Sequence, residues 1–209
     1  QGKQVDFDVE HVHVIGGGIM GGDIASWCAI QGYSVSVQDQ DPARLAQTIK
    51  RAQYSFKKKF KRDRRAIRDA NDLLTADPRG HGVCRADIII EAIFEDRDVK
   101  RSLYESIEPR MKKNAILATN TSSIKLEELS SCLKNPGRLV GLHFFNPVAL
   151  MPLVEIIRGN ETDEAVVQKA LAFGKNIGKL PLAVKSSPGF LVNRILMPYI
   201  VEAITMVEE

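Results

Sequence analysis

At 209 residues, 44% of them hydrophobic, the chain is long enough to bury the core of one full domain with a piece of a second. Cys28, Cys84 and Cys132 lie far apart with no C-x-x-C spacing, which excludes a disulfide scaffold or a cysteine zinc site and fits reduced thiols in an intracellular protein. The net charge of +3 is unevenly spread, with ten Lys/Arg against Asp63 alone in residues 50–68, which argues for a local anionic partner or a solvated helix and against a chain that coats nucleic acid.

The first predicted element is an apolar strand over residues 11–15, and it ends in a glycine-dense turn. Gly16, Gly18 and Gly21 fill the three glycine positions of G-x-G-x-x-G. The first turns the chain sharply off the strand, the second lets backbone approach a pyrophosphate, and the third lets a helix pack close to the sheet. That helix starts near Ile19 and points free N–H groups and its positive dipole end at the phosphates, so no lysine is needed there. A second strand over 34–38 ends at Asp39, where a carboxylate accepts from an adenosine ribose and repels a 2′-phosphate. The expected cofactor is therefore NAD, not NADP.

Asp41-Pro42 supplies a helix cap and a first-turn proline, and Leu45, Ile49, Ala52 and Phe56 form the apolar stripe of a long helix. Its end merges into KKKFKRDRRAIRD, read either as a solvated helical face or hairpin, or as a patch for the phosphates of a bulky anionic substrate. Residues 72–77 suggest a short strand, residues 78–82 a turn, and residues 86–91 a buried strand ending at Glu91, which repeats a β-α-β rhythm. A helix over 97–112 is expected to bury Val99, Leu103, Ile107 and Met111, ahead of a strand over 116–119. The Asn120–Ser123 cluster falls on the same rim as the glycine loop and Glu91, or else Ser122 or Ser123 caps a helix over 124–132.

Strands over 139–145 and 153–157 can form an antiparallel pair in which His143 and Glu155 face each other. The carboxylate then takes one imidazole nitrogen and leaves the other as a base. A helix over 163–177 stopped by Gly178, a strand over 182–184, a Pro188-Gly189 turn and a closing helix complete the chain. No run is apolar and long enough to span a bilayer. The chain opens on Gln1 and closes in a helical pattern with no capping glycine or proline, so both ends look cut.

Taken together, GGGIMGG, Asp39, EAIFED, NTSS, GLHFFNP, MPLVEIIRG and SPGFLVNR resemble the NAD-dependent 3-hydroxyacyl-CoA dehydrogenases of fatty-acid β-oxidation, from His11 to the last residue. MPLVEIIRG is most similar to the multifunctional β-oxidation proteins, in which a hydratase module precedes the dehydrogenase. The resemblance implies a doubly wound α/β Rossmann-type sheet, mostly parallel, with an added hairpin and a C-terminal helix cut from a following helical domain. The implied boundaries are a linker or extension over 1–10, an NAD-binding domain over 11–188, and the start of the helical domain over 189–209.

By the same resemblance, His143 matches the catalytic base, Glu155 its carboxylate partner, and Ser122 and Asn193 the groups that hold the substrate oxygens. Met20, Asp39, Glu91, Glu95, Lys100, Ser122 and Asn146 match cofactor-lining positions beside Gly16, Gly18 and Gly21. Ser55 matches a position touching coenzyme A, and a basic residue within 57–62 stands near a CoA-binding lysine. The implied partners are an acyl-CoA substrate and a homodimer or β-oxidation complex, with no nucleic acid and no metal. The implied location is the cytoplasm of a bacterium, or otherwise a peroxisome or mitochondrion. Two alternatives stand beside this one: a dinucleotide-binding relative without turnover, against which the intact His143, Glu155, Ser122 and Asn193 argue, and a β-hydroxyacid dehydrogenase, which normally uses a lysine base.

Overall fold

The computed structural model describes residues 7–208; residues 1–6 of the expected N-terminal extension and Glu209 lie outside the described residues. Within 7–10, Phe7 and Val9 are buried against the main core, so this part of the extension adheres to the domain. The strands are β1 (His11–Ile15), β2 (Ser34–Gln38), β3 (Leu74–Ala76), β4 (Ile88–Glu91), β5 (Ile116–Thr119), β6 (Leu139–Phe144), β7 (Leu153–Arg158) and β8 (Leu180–Lys185). They form one sheet in the order β3-β2-β1-β4-β5-β6-β7-β8, parallel except where β6 meets β7. The order reverses at β1, and this is where a doubly wound sheet opens a crevice at the carboxyl ends of its strands.

Two apolar layers cover the sheet because successive side chains of a strand point to opposite faces. Val12 and Val14 of β1 and Val35 and Val37 of β2 face one core with helix α1 (Ile19–Ile30). Ile89 and Leu117 face the other, against Tyr104 and Ile107 of α4 (Arg97–Ile107). Helix α2 (Pro42–Phe60) starts at the Asp41 cap, whose carboxylate accepts from the Ala43 N–H, and buries Leu45, Thr48, Ala52 and Phe56. The basic segment resolves into a helical hairpin, with Lys61 in the left-handed region at φ 56° and α3 (Arg64–Leu73) capped by Asp63. Because α3 runs to Leu73, the strand expected over 72–77 shortens to Leu74–Ala76.

The expected inner face of α4 is corrected at Val99. Ile107 and Met111 are buried and Leu103 packs on the core as expected, but Val99 is 40% exposed and Lys100 and Tyr104 turn inward instead, because the carboxylate of Glu91 draws them toward the sheet. The helix also ends at Ile107, ahead of Pro109 in a short 3-10 turn. The expected serine cap is likewise replaced: α5 (Leu126–Ser130) has no side-chain cap of its own, and Ser186, sixty residues away, accepts the Leu126 N–H. Helix α6 (Glu164–Asn176) is followed by Gly178 at φ 72°, as a left-handed helix stop requires. The last helix, α7 (Val192–Glu208), has no buried residue. No helix among the described residues is long and apolar enough to cross a membrane.

In the β6–β7 pair Gly141 stands opposite Ile157, and a Cβ on Gly141 would lie 2.5 Å from the Cβ of Ile157. Gly141→Val should therefore lower stability by about 1–3 kcal/mol through overpacking. Urea unfolding followed by tryptophan fluorescence measures this; a midpoint equal to that of the parent chain would show that the pair relaxes freely.

Candidate functional site

A cleft of about 780 Å³ opens at the carboxyl ends of β1, β2 and β4 and is lined by Gly16, Gly18, Gln38, Asp39, Arg44 and Phe94, among others. Gly16 leaves β1 at φ 111°, a conformation that side chains rarely adopt, and its carbonyl oxygen sits where a Cβ on Gly21 would be. A Cβ on Gly18 would meet nothing within 4 Å, so this backbone faces open cleft. Gly18 is the N-cap of α1 and offers no side chain to its first N–H groups, leaving them for an anion. These features fit a dinucleotide pyrophosphate.

Asp39 lies at the mouth of the cleft and also pins the loop. Its Oδ2 accepts from the Gly17 N–H at 2.8 Å and its Oδ1 from the Asp41 N–H at 2.9 Å, with Arg44 3.6 Å away. Two residues of α2 that the sequence did not single out complete the support: Thr48 donates to the Gly17 carbonyl, and Arg51 Nη2 donates to the Gly18 carbonyl at 2.7 Å. Their only sequence signal was position on the inward face of an amphipathic helix. Met20 is half-buried beside the main core, in the first turn of α1.

Glu91 ends β4 and is 0% exposed. Its Oε1 accepts from Lys100 at 2.6 Å and the Ile93 N–H at 2.8 Å, and its Oε2 from Tyr104 at 2.7 Å and Thr119 at 2.8 Å. All its acceptor capacity is used, and Glu91 and the 1%-exposed Lys100 sit behind the cleft wall. Lys100 stands 3.5 Å from Glu95 Oε2, and Glu95 Oε1 gathers the Thr121 hydroxyl, the Ser122 and Ser123 N–H groups and the Ser123 hydroxyl. Partial burial alone would raise the Glu95 pKa, but the Thr121 hydroxyl, the Lys100 charge and the Ser122 N–H outweigh it and hold the carboxyl below its ordinary range. Ser122 is thus held at the rim by its backbone with its hydroxyl exposed.

On the antiparallel pair, His143 stands opposite Glu155, and its Nδ1 lies 2.8 Å from Glu155 Oε2. A carboxylate only accepts, so Nδ1 carries the proton and Nε2 presents a lone pair. Glu155 Oε1 accepts the Leu191 and Val192 N–H groups at 3.0 and 2.9 Å, which brings the half-buried Asn193 next to this pair on the first turn of α7. Phe190 reaches this junction at φ 49° and packs its ring edge-on to His143, and Phe145 approaches the imidazole from another side. Asn146 follows at the exposed end of β6, and Asn120 Oδ1 accepts the Phe144 N–H at 2.9 Å. Ser55 is half-buried on α2 beside the basic residues 57–62.

The sequence matches the family described as 3-hydroxyacyl-CoA dehydrogenase, NAD binding domain, over residues 11–187. A probable 3-hydroxyacyl-CoA dehydrogenase of Caenorhabditis elegans is 37% identical over 96% of this chain and 70% of its own length. A fatty acid oxidation complex subunit alpha of Pseudomonas entomophila is 38% identical over 94% of this chain, which spans only 28% of that protein. Among solved structures, a 3-hydroxybutyryl-CoA dehydrogenase from Escherichia coli superposes with a TM-score of 0.93 at 34% identity, covering 97% of this chain and 43% of that one.

Breaking a buried ion pair by removing one partner leaves the other charge uncompensated. Lys100→Met should therefore destabilise the chain by about 3–5 kcal/mol, and the double variant Glu91→Gln/Lys100→Met should recover part of that loss. Urea denaturation of Lys100→Met, Glu91→Gln, the double variant and the parent checks this; strictly additive losses would mean that the pair contributes no coupling.

Proposed function

The chain belongs to the 3-hydroxyacyl-CoA dehydrogenase family through its NAD-binding domain, and on that premise we propose that it interconverts (S)-3-hydroxyacyl-CoA and 3-oxoacyl-CoA in fatty-acid β-oxidation. The observation that carries the assignment of a base is the His143–Glu155 pair near the carboxyl end of β6, on the same edge of the sheet as the glycine loop. With Nδ1 donating to Glu155, His143 Nε2 removes the 3-hydroxyl proton as C3 gives up its hydride, and it returns that proton in the reducing direction. Glu155 fixes the tautomer and stabilises the imidazolium as it forms. When bound, NAD supplies the hydride acceptor.

Ser122 and Asn193 are assigned to the substrate oxygen, where hydroxyl and amide donors polarise the carbonyl of the 3-oxo compound. The glycine loop and the free N–H groups of α1 hold the pyrophosphate, Asp39 takes the adenosine ribose, and Glu95, Met20 and Asn146 line the rest of the cofactor path. Glu91 and Lys100 act through Glu95, because both are sealed behind the wall. Ser55 and one of the basic residues 57–62 take the coenzyme A moiety. Residues 11–188 form the cofactor-binding unit, and we read 189–209 as part of a helical unit, since no residue of α7 is buried against the sheet domain. The protein acts as a homodimer or within a β-oxidation complex, in the bacterial cytoplasm or else in a peroxisome or mitochondrion.

The test is NADH oxidation by a 3-oxoacyl-CoA, run on this chain and on His143→Gln, with NADH binding measured in parallel by fluorescence. The expected outcome is turnover that falls by about a hundredfold or more in the variant while NADH binding is kept. Equal turnover in both would remove His143 as the base, and a preference for free 3-hydroxyacids would overturn the acyl-CoA assignment.

A further inference from the structure

The alternation HVHVI on β1 and SVSVQ on β2 puts His11, His13, Ser34, Ser36 and Gln38 on one face of two parallel strands, and the register brings them side by side. His11 Nδ1 lies 3.1 Å from Ser34 Oγ and its Nε2 2.8 Å from Ser36 Oγ. His13 Nδ1 lies 2.7 Å from the same Ser36 Oγ, and its Nε2 3.0 Å from Gln38 Oε1. An amide oxygen only accepts, so His13 Nε2 carries the proton and its Nδ1 must accept from the Ser36 hydroxyl. Ser36 Oγ then accepts from His11 Nε2, and His11 Nδ1 from Ser34. The four links run with a single polarity, from the exposed edge of the strands to the amide oxygen of Gln38.

Gln38 is the last residue of β2 and lines the cleft beside Asp39. Its oxygen is taken by His13, and among the described residues its Nε2 has no hydrogen-bond partner. The turn over residues 80–82 packs against the amide and its partners. Gly80, at φ 66°, lies so close that a Cβ there would be 2.5 Å from Oε1 and 2.8 Å from Nε2, and a Cβ on Gly82 would overlap Ser36 Oγ and His13 Nδ1. Asp77 holds this turn down by accepting the Gly82 N–H at 2.6 Å. Both His13 and Ser36 are fully buried, so no solvent competes for the links.

We propose that Gln38 is a specificity-determining residue for the adenosine half of the cofactor, donating from Nε2 to an acceptor on the base or ribose, and that Ser36 and His13 are positioning residues that keep this donor facing the cleft. Asp39 selects against a 2′-phosphate by charge, and Gln38 adds a directional contact that a carboxylate cannot make. The proposal rests on the dinucleotide reading of the cleft.

The test is fluorescence titration of the full chain with NADH and, separately, with reduced nicotinamide mononucleotide, which lacks adenosine. Loss of one hydrogen bond in Gln38→Leu should weaken NADH about five- to tenfold, with mononucleotide binding unchanged. Ser36→Ala leaves Gln38 in place and removes the donor to His13, so NADH should weaken about two- to fivefold, again with no change for the mononucleotide. Gln38→Glu keeps the shape and replaces donor by acceptor, and should weaken NADH at least as much as leucine does; this variant decides the matter if the leucine variant fails to fold. NADH binding undiminished in both Gln38 variants would overturn the proposal. So would equal weakening of NADH and mononucleotide, which is what general structural damage produces. Failure of the parent chain to bind NADH at all would instead remove the dinucleotide reading itself.

Discussion

A carboxylate with no access to water must find its donors inside the protein, and Glu155 finds three. One is His143 across the antiparallel ladder, and two are N–H groups where the chain enters α7. The same two oxygens therefore join the parallel sheet, the added hairpin and the closing helix at one point. Because Glu155 has no exposed surface, none of these three partners can leave without stranding a buried charge. The orientation of His143 is thus built into the fold before any ligand arrives, which is what general base chemistry asks of its base.

Glu91 repeats this solution at the end of β4. Its four donors come from α4, β5 and the loop that follows its own strand, so the carboxylate anchors the helix and braces the cleft wall from behind. The open surface is left to Glu95, whose own carboxylate organises the Thr121–Ser123 backbone. Around the glycine loop, support comes from α2, with Thr48 and Arg51 holding the carbonyls of Gly17 and Gly18 so that the N–H side faces the cleft. Each rim segment is flexible by composition and is fixed by a side chain from a neighbouring element.

The polar face of β1 and β2 follows the same rule with neutral groups. Histidines inside a sheet need a partner for each ring nitrogen, and the alternating serines together with Gln38 supply them. Desolvation pushes His13 down to about 4, with its Gln38 bond opposing that shift, so at neutral pH the ring is uncharged and the tautomer is set by its two bonds. The cleft thereby joins a backbone anion site, a fixed carboxylate and a fixed amide on adjacent strand ends.

Local physics made much of this legible from the sequence. The three glycines, the alternating apolar strands, the Asp41 and Asp163 helix starts and the Gly178 stop each depend on near neighbours, and they delivered the β1-α1-β2 unit and the β-α-β rhythm that follows it. The His143–Glu155 apposition was also legible, because a two-residue period and one short connection fix which side chains of a hairpin meet. Only the tertiary structure decided that Lys100 and Tyr104 rather than Val99 turn inward on α4, that Glu91 and Lys100 are sealed while Glu95 is not, that Ser186 caps α5, and that Thr48, Arg51 and Gln38 attend the cleft. Those outcomes depend on partners tens of residues away and on where scarce donors lie around a buried carboxylate, and neither periodicity nor spacing in one dimension contains that information.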